Sequence, residues 1–178
     1  MPDPSENGFS AAIKALNEVV APAVDRSNPL AVEQSRLVSM FLEFYLSQRD
    51  LSRKLDWTEL NLNVELGHAV CACFHSTDPM IKNLNRMLLL ASRDLMITGL
   101  PASKWRDHTS NILGSVSQLL RSCAYQNFEL FETLSSKVLE KSGEILALKR
   151  SWFLPLGFEA KPDALPSLNQ WFERCPDI

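Results

Sequence analysis

The chain predicts an all-α fold, and three observations predict it. Most of its ten Pro and six Gly stand at the N-terminus, at a few punctuation points (Pro22, Asn28-Pro29, Asp78-Pro79, Gly99-Leu100-Pro101), or beyond Trp152. The stretches between them are rich in Leu, Glu, Lys and Arg, which lose little rotamer freedom in a helix. Apolar residues in those stretches recur at three- and four-residue spacing, the period of one helix face. The expected architecture is a single-domain antiparallel bundle of about five to seven helices with an irregular, aromatic, Pro-containing C-terminal tail. Residues 1–8 are expected to be a disordered or frayed start, residues 9–151 the bundle, and residues 152–178 a tail docked on it.

The first helix is expected over about Phe9 to Val20, with Phe9, Ile13, Leu16 and Val20 on one stripe. Pro22 ends or kinks it, because the proline ring clashes with the preceding turn. Asn28-Pro29 is the clearest start signal: Asn is a good N-cap, and Pro suits the first helical position, where a missing N–H is no loss. The helix from Pro29 to about Ser52 carries Leu30, Leu37, Phe41, Phe44, Tyr45 and Leu51 on one stripe. Val38, Met40, Leu42 and Leu46 make its middle apolar nearly all round, which suits a central helix or an interface.

Asp56-Trp57-Thr58-Glu59 has the acidic cap and the Glu three residues on that mark a helix start, and this helix is expected to reach about Ser76. Asp78 caps the next helix from Pro79, which stops where Gly99 takes a left-handed position before Leu100 and Pro101. Ser103 opens the last long segment, along which Ile112, Val116, Leu119, Cys123, Leu130, Leu134 and Val138 keep the helical period. Unbroken to Arg150 it would span ~70 Å at 1.5 Å per residue, too long for a compact domain. A break is therefore expected at Gln126-Asn127 or at Ser142-Gly143. Trp152-Phe153-Leu154-Pro155-Leu156-Gly157-Phe158 and Trp171-Phe172 give the tail the aromatic content of a docked segment.

Composition narrows the function classes. At 178 residues the chain has the size of one domain, and 46% hydrophobic with 22% charged content is ordinary for a globular protein. A net charge of −3 argues against nucleic acid and anionic membranes as partners, since phosphate affinity rests on concentrated Lys and Arg. No stretch approaches the ~20 apolar residues of a membrane span. The acidic, polar start is unlike a signal peptide, and the four cysteines lack a dense disulfide framework. Reduced thiols in a cytoplasmic protein are the expectation.

Two constellations carry candidate chemistry. His68, Cys71 and His75 stand at i, i+3 and i+7, within about 60° of one another on a helix, and so could offer a zinc-type ligand set. The simpler reading is that Cys71 is a small buried hydrophobe with both His at the edge of a packed face; no metal or other cofactor is expected. Glu65-x-x-His68 matches half of a di-iron bundle motif, with Glu43 and Glu129 as conceivable single ligands, but no second copy occurs. The second constellation is a basic stripe of Lys82, Arg86 and Arg93 on the Pro79 helix, interleaved with Leu89, Leu90, Met96 and Ile97. It suits a solvated face paired with Glu129 and Glu132, a protein interface, or a pocket holding an acyl ligand by an anionic head group. Arg49, Arg53 and Lys54 favour a helix C-terminal dipole without a partner, and Asp107-His108 is no dyad, since sequence neighbours do not face each other on a helix.

Phosphate-loop, dinucleotide, zinc-protease and serine-hydrolase motifs are all absent from the sequence. The functional expectation is a non-enzymatic helical module that self-associates, as a homodimer or through a protein partner, with Trp152 and Trp171 as aromatic anchors. The alternative is a bundle that binds a small apolar-anionic ligand through Lys82, Arg86 and Arg93; a metal-binding bundle ranks below it.

Overall fold

The computed structural model describes residues 4–74 and 78–176, and among them every regular element is helical. No helix in this range is long and apolar enough to cross a membrane. The chain packs as two compact units. The first takes the described residues up to Ser52 together with Phe153–Glu159; the second takes Arg53–Trp152 and the described residues from Ala160 onward.

In the first unit, α1 (Pro4–Ala15) continues through a π-helical turn (Leu16–Val20) into the short α2 (Ala21–Ala23). The helix therefore starts earlier than the expected Phe9. Pro22 explains the wide turn: it has no N–H to bond back along the helix, and Ala21 N–H reaches the carbonyl of Leu16, five residues back. Val24 then turns extended and ends the element. Helix α3 (Pro29–Gln48) starts as expected, with Asn28 Oδ1 accepting from Ala31 N–H at 3.1 Å and Pro29 in the first turn.

Helices α1 and α3 form an antiparallel hairpin. Ser39 Oγ donates to Asn17 Oδ1 at 2.7 Å and Asn17 Nδ2 to Glu43 Oε1 at 3.3 Å, while Arg49 meets Glu6 at the other end at 3.4 Å. Phe44 stacks on Phe153, ring centroids 5.6 Å apart, beside a 3₁₀ turn (Leu154–Leu156) that buries Leu156. Gly157 closes this turn at φ +73°, a conformation that favours glycine.

The second unit is a four-helix, up-down-up-down bundle of α4 (Ser52–Cys71), α5 (Pro79–Leu95), α6 (Ala102–Gln126) and α7 (Phe128–Phe153), followed by α8 (Leu168–Phe172). Polar pairs fix the directions. Trp57 near the start of α4 bonds Leu95 at the end of α5; Ser115 of α6 meets Met87 of α5, and His108 meets Asp94. Lys141 and Lys149 of α7 pair with Glu65 and Glu59 of α4, later with earlier. The core lies among these four helices, with Leu60, Leu66, Leu84, Leu88, Trp105, Ile112 and Leu134 all fully buried. Helix α4 approaches α5 so closely that a Cβ on Gly67 would lie 2.4 Å from Leu88 Cδ2.

Several boundaries differ from expectation for identifiable reasons. Asp56 caps nothing. A 3₁₀ turn (Arg49–Leu51) leads straight into α4 at Ser52, so the N–H groups near Asp56 already have helical partners, and its carboxylate instead accepts from Arg106 at 2.6 Å. Helix α4 ends at Cys71; the expected end near Ser76 lies outside the described residues. Asp78 does cap α5, accepting from Met80 N–H at 2.7 Å. That helix stops at Leu95, before Gly99, which still adopts φ +82° in the following loop. Of the two expected breaks in the last segment, Asn127 is the one used: its backbone turns extended and its Oδ1 accepts from Leu130 N–H at 3.0 Å. Ser142-Gly143 stays helical within α7.

Candidate functional site

Helix α3 has two faces of opposite character. Ser39 and Glu43 face α1 through Asn17. On the other side stand Leu30, Val38, Phe41 and Tyr45, all exposed, Leu30 by 68% and Tyr45 by 57%. At 100° per residue these four fall within an arc of about 80°, free of any charged residue and shared with Gln34 and, at its covered C-terminal end, the buried Gln48. Phe9, Val19 and Val20 of the paired helix are exposed as well. Among the described residues, Phe44 and Leu156 are the only buried hydrophobic side chains of this unit. A hairpin with so small a core leaves most of its apolar surface in water.

The expected site residues distribute differently. Lys82, Arg86 and Arg93 are all exposed on α5. Arg86 bonds Asn83 and Arg93 bonds Asp94 at 3.1 Å, so these two cations meet neighbours on their own helix, not Glu129 or Glu132. None of the cavities described below is lined by any of the three. Trp152 is 7% exposed, among the buried side chains of the second unit. Trp171 is half-buried on α8 and donates its indole N–H to Ser151 Oγ at 3.0 Å; that hydroxyl also lies 2.8 Å from Pro166 O. His68 is exposed and Cys71 half-buried, its thiol pushed up by burial, while Cys73 turns its thiol to Ala69 O. His75 lies outside the described residues, and among those described no three His, Cys, Asp or Glu side chains converge to hold a metal ion. Glu65 is engaged by Lys141 and Arg174, each at 3.7 Å, and Glu43 by Ser39 and Asn17.

A polar–aromatic cluster at the end of α5 was not legible in the sequence. Two indoles finish that helix: Trp57 donates to Leu95 O at 3.0 Å, a carbonyl at the helix end, and Trp105 to Asp94 O at 3.2 Å, which also takes Ile97 N–H at 3.4 Å. The Arg53 guanidinium lies 4.5 Å from the Trp105 ring centroid, a cation–π contact in place of the expected dipole role. His108 pairs across helices with Asp94 at 2.9 Å, not with Asp107. That hydrogen bond, with help from Arg93, holds the Asp94 carboxyl below the usual aspartate range. Burial pushes the Asp56 carboxyl up, and Arg106 only partly offsets it.

Four depressions bear on function. One open groove of ≈510 Å³ runs beside Asp94 and His108, with Lys104 and Asn111 along it. Another, ≈540 Å³, lies in the first unit between Asn17 and Ser35, Ser39 and Met40. In the second unit a more enclosed cleft of ≈280 Å³ lies between α4, Glu144 of α7 and α8, next to an apolar groove of ≈450 Å³ along Val64, Leu95 and Met96. The last two share Trp57, Asn61 and Arg174 as lining residues. No protein-family model, curated protein or solved structure matches this chain.

Proposed function

We propose that this protein is a non-enzymatic helical interaction module that self-associates through the α1–α3 hairpin, with a second copy of the same hairpin as the partner. The observation that carries the reading is the uncharged apolar arc of Leu30, Val38, Phe41 and Tyr45 on the side of α3 away from α1. A two-helix hairpin cannot shield both faces of its inner helix. Two such hairpins placed face to face form a four-helix bundle, in which the arcs bury each other. Two-fold symmetry pairs any patch with itself, so an arc without charge is self-complementary without charge matching. Cys71, Cys73 and Cys123 form no disulfide, in keeping with a reducing compartment.

Sedimentation velocity over a wide concentration range tests the reading. Wild type is expected to pass from monomer to dimer, and Phe41→Glu to remain monomeric with unchanged helicity, since Phe41 is already in contact with water. A wild-type chain that stays monomeric throughout sinks the proposal, as does a dimer indifferent to charges placed at Phe41 and Tyr45.

A further inference from the structure

We propose that the cleft between α4, α7 and α8 binds a small organic amine in its protonated form. The cleft is small, ≈280 Å³, at the lower end of small-molecule sites.

An unanswered polar group sits in its wall. Thr58 is 5% exposed, lines the cleft, and its hydroxyl is buried without a hydrogen-bond partner. Helical Thr and Ser usually return the hydroxyl to the carbonyl four residues earlier. Thr133 does so with Glu129 and Ser151 lies in reach of Ala147, whereas Thr58 does not. A buried hydroxyl left this way is the kind of group a ligand satisfies.

The rest of the lining fixes the sign of that ligand. Trp57 and Trp171 both border the cleft, and both have committed their indole N–H elsewhere, to Leu95 O and to Ser151 Oγ. They therefore offer the cleft carbon surface with π character and no donor, which favours a cation. Acceptors predominate among the polar groups. Glu144 meets Lys141 through Oε1, leaving its other oxygen, and Asn61 spends its amide N–H on Glu65, leaving Oδ1. Gln170 has turned its own carbonyl oxygen to Ser167. Arg174, the cation of the lining, has its side chain 81% exposed and turned towards Glu65, so it belongs to the rim. An ammonium has three N–H donors and no acceptor. Asn61 Oδ1 and Glu144 Oε2 supply matching acceptors, a rotation of the Thr58 side chain about its Cα–Cβ bond brings the buried Oγ1 to the third N–H, and the ligand's apolar remainder lies against the indoles and Leu62.

The test titrates the full chain with phenethylammonium, with 3-phenylpropanol and 3-phenylpropionate as neutral and anionic counterparts. Indole N–H resonances, assigned by single Trp→Phe variants, are the readout. Phenethylammonium is expected to shift Trp57 and Trp171 saturably while leaving Trp105 unmoved, and to bind more tightly than either counterpart. Glu144→Gln, on a partly exposed side chain, should weaken binding about tenfold by removing a charge-assisted hydrogen bond. Asn61→Lys, which places an ammonium in the cleft, should abolish it. Equal binding of the alcohol or the acid, no saturable shift with the amine, or undiminished binding in Glu144→Gln overturns the proposal. The same titration in Phe41→Glu is expected to give the wild-type curve, so this site stands or falls apart from self-association.

Discussion

The two units are built of the same helical material and differ in what they bury. The second closes four helices on a core that includes Leu60, Leu66, Leu84, Leu88, Trp105, Ile112 and Leu134, all fully out of water. The first has two antiparallel helices, buries Phe44 and Leu156, and leaves Leu30, Val38, Phe41 and Tyr45 exposed. The difference teaches that apolar periodicity specifies a helix without specifying what covers it. In the second unit the neighbouring helices cover the faces that build the core, leaving Leu89 of α5 and Leu139 and Leu146 of α7 outside it. In the first, α1 takes one side of α3, Phe153 covers Phe44, and the arc of Leu30, Val38, Phe41 and Tyr45 has no described helix of that unit over it.

Removing the same kind of side chain from each unit gives the largest contrast. Leu66→Ala should cost about 2–5 kcal/mol of unfolding free energy, because a fully buried Leu leaves a cavity among α4's neighbours. Leu30→Ala, on a side chain 68% exposed, should change the monomer's stability by no more than about 0.5 kcal/mol. Urea titrations of dilute protein measure both. Hydrogen exchange sharpens the contrast, with α3 amides expected to exchange faster than those of α4 in dilute solution. Equal protection in a demonstrated monomer would break the comparison, and α3 protection that grows with concentration would place the missing cover in a second copy.

Packing inside the second unit should give glycine substitutions opposite signs. Gly67→Ala puts a methyl 2.4 Å from Leu88 Cδ2, and since Leu88 is itself fully buried, the strain should cost about 1–3 kcal/mol. Gly143→Ala meets nothing within 4 Å in the middle of α7 and should stabilise by about 0.4–1 kcal/mol, by restricting the unfolded chain. Thermal melts of the two variants should therefore move in opposite directions.

How much of this the sequence revealed follows from how local each feature is. Asn28-Pro29 and Asp78-Pro79 announce helix starts because a cap bonds N–H groups two or three residues on, whereas Gln126-Asn127 showed only as one of two possible breaks, its capping bond to Leu130 visible in the fold alone. The near all-round apolarity of Leu37–Leu46 was visible too, since it is a property of one helix. Asp56 misled because the acid-plus-Glu pattern is shared by a cap and by a mid-helix ion-pair partner; which of the two it is depends on Arg106, half a bundle away in sequence. The Asp94–His108 pair and the two indoles on the end of α5 were illegible for the same reason, since each joins different helices. The amine cleft was equally hidden: Thr58 looks like any helical Thr until its missing partner is seen. The basic stripe of Lys82, Arg86 and Arg93 was legible as a stripe, but spacing could not tell that Arg86 and Arg93 would bond Asn83 and Asp94 on their own helix.

The indole pair at the end of α5 offers a smaller, directional test. Trp57→Phe removes the donor to Leu95 O and leaves a buried carbonyl short of its partner, at about 1–2 kcal/mol. Asp94 O has a second donor in Ile97 N–H at 3.4 Å, so the hydrogen-bond part of Trp105→Phe should be smaller. The smaller ring also weakens the Arg53 contact, whose whole contribution is about 0.5–1 kcal/mol, and Arg53→Ala isolates it. If Trp57→Phe melts like wild type, the indole is filling space and not finishing the helix.

The smallest effects, on the order of 1 kcal/mol or less, are those of two carboxyls that titrate in opposite senses. The folded pKa of Asp94 lies below the ordinary aspartate value, held there first by His108. Its contribution is therefore complete above that ordinary value and is lost as the pH falls through the folded one. Asp56 is shifted the other way by burial, so the folded state binds its proton more tightly than the unfolded chain does. Stability gains as the pH falls through its raised value, and that gain is complete below the ordinary one. The two windows adjoin without overlapping: Asp94 acts below the ordinary aspartate value and Asp56 above it. Unfolding titrations from about pH 2 to 6 should show Asp94→Asn flattening the loss of stability in the most acidic part of the range. Asp56→Asn should leave that part unchanged and remove a gain in the less acidic part. Finding both variants altered in the same window would mean that the carboxyls titrate together, and that the end of α5 behaves as one coupled cluster and not as two independent pairs.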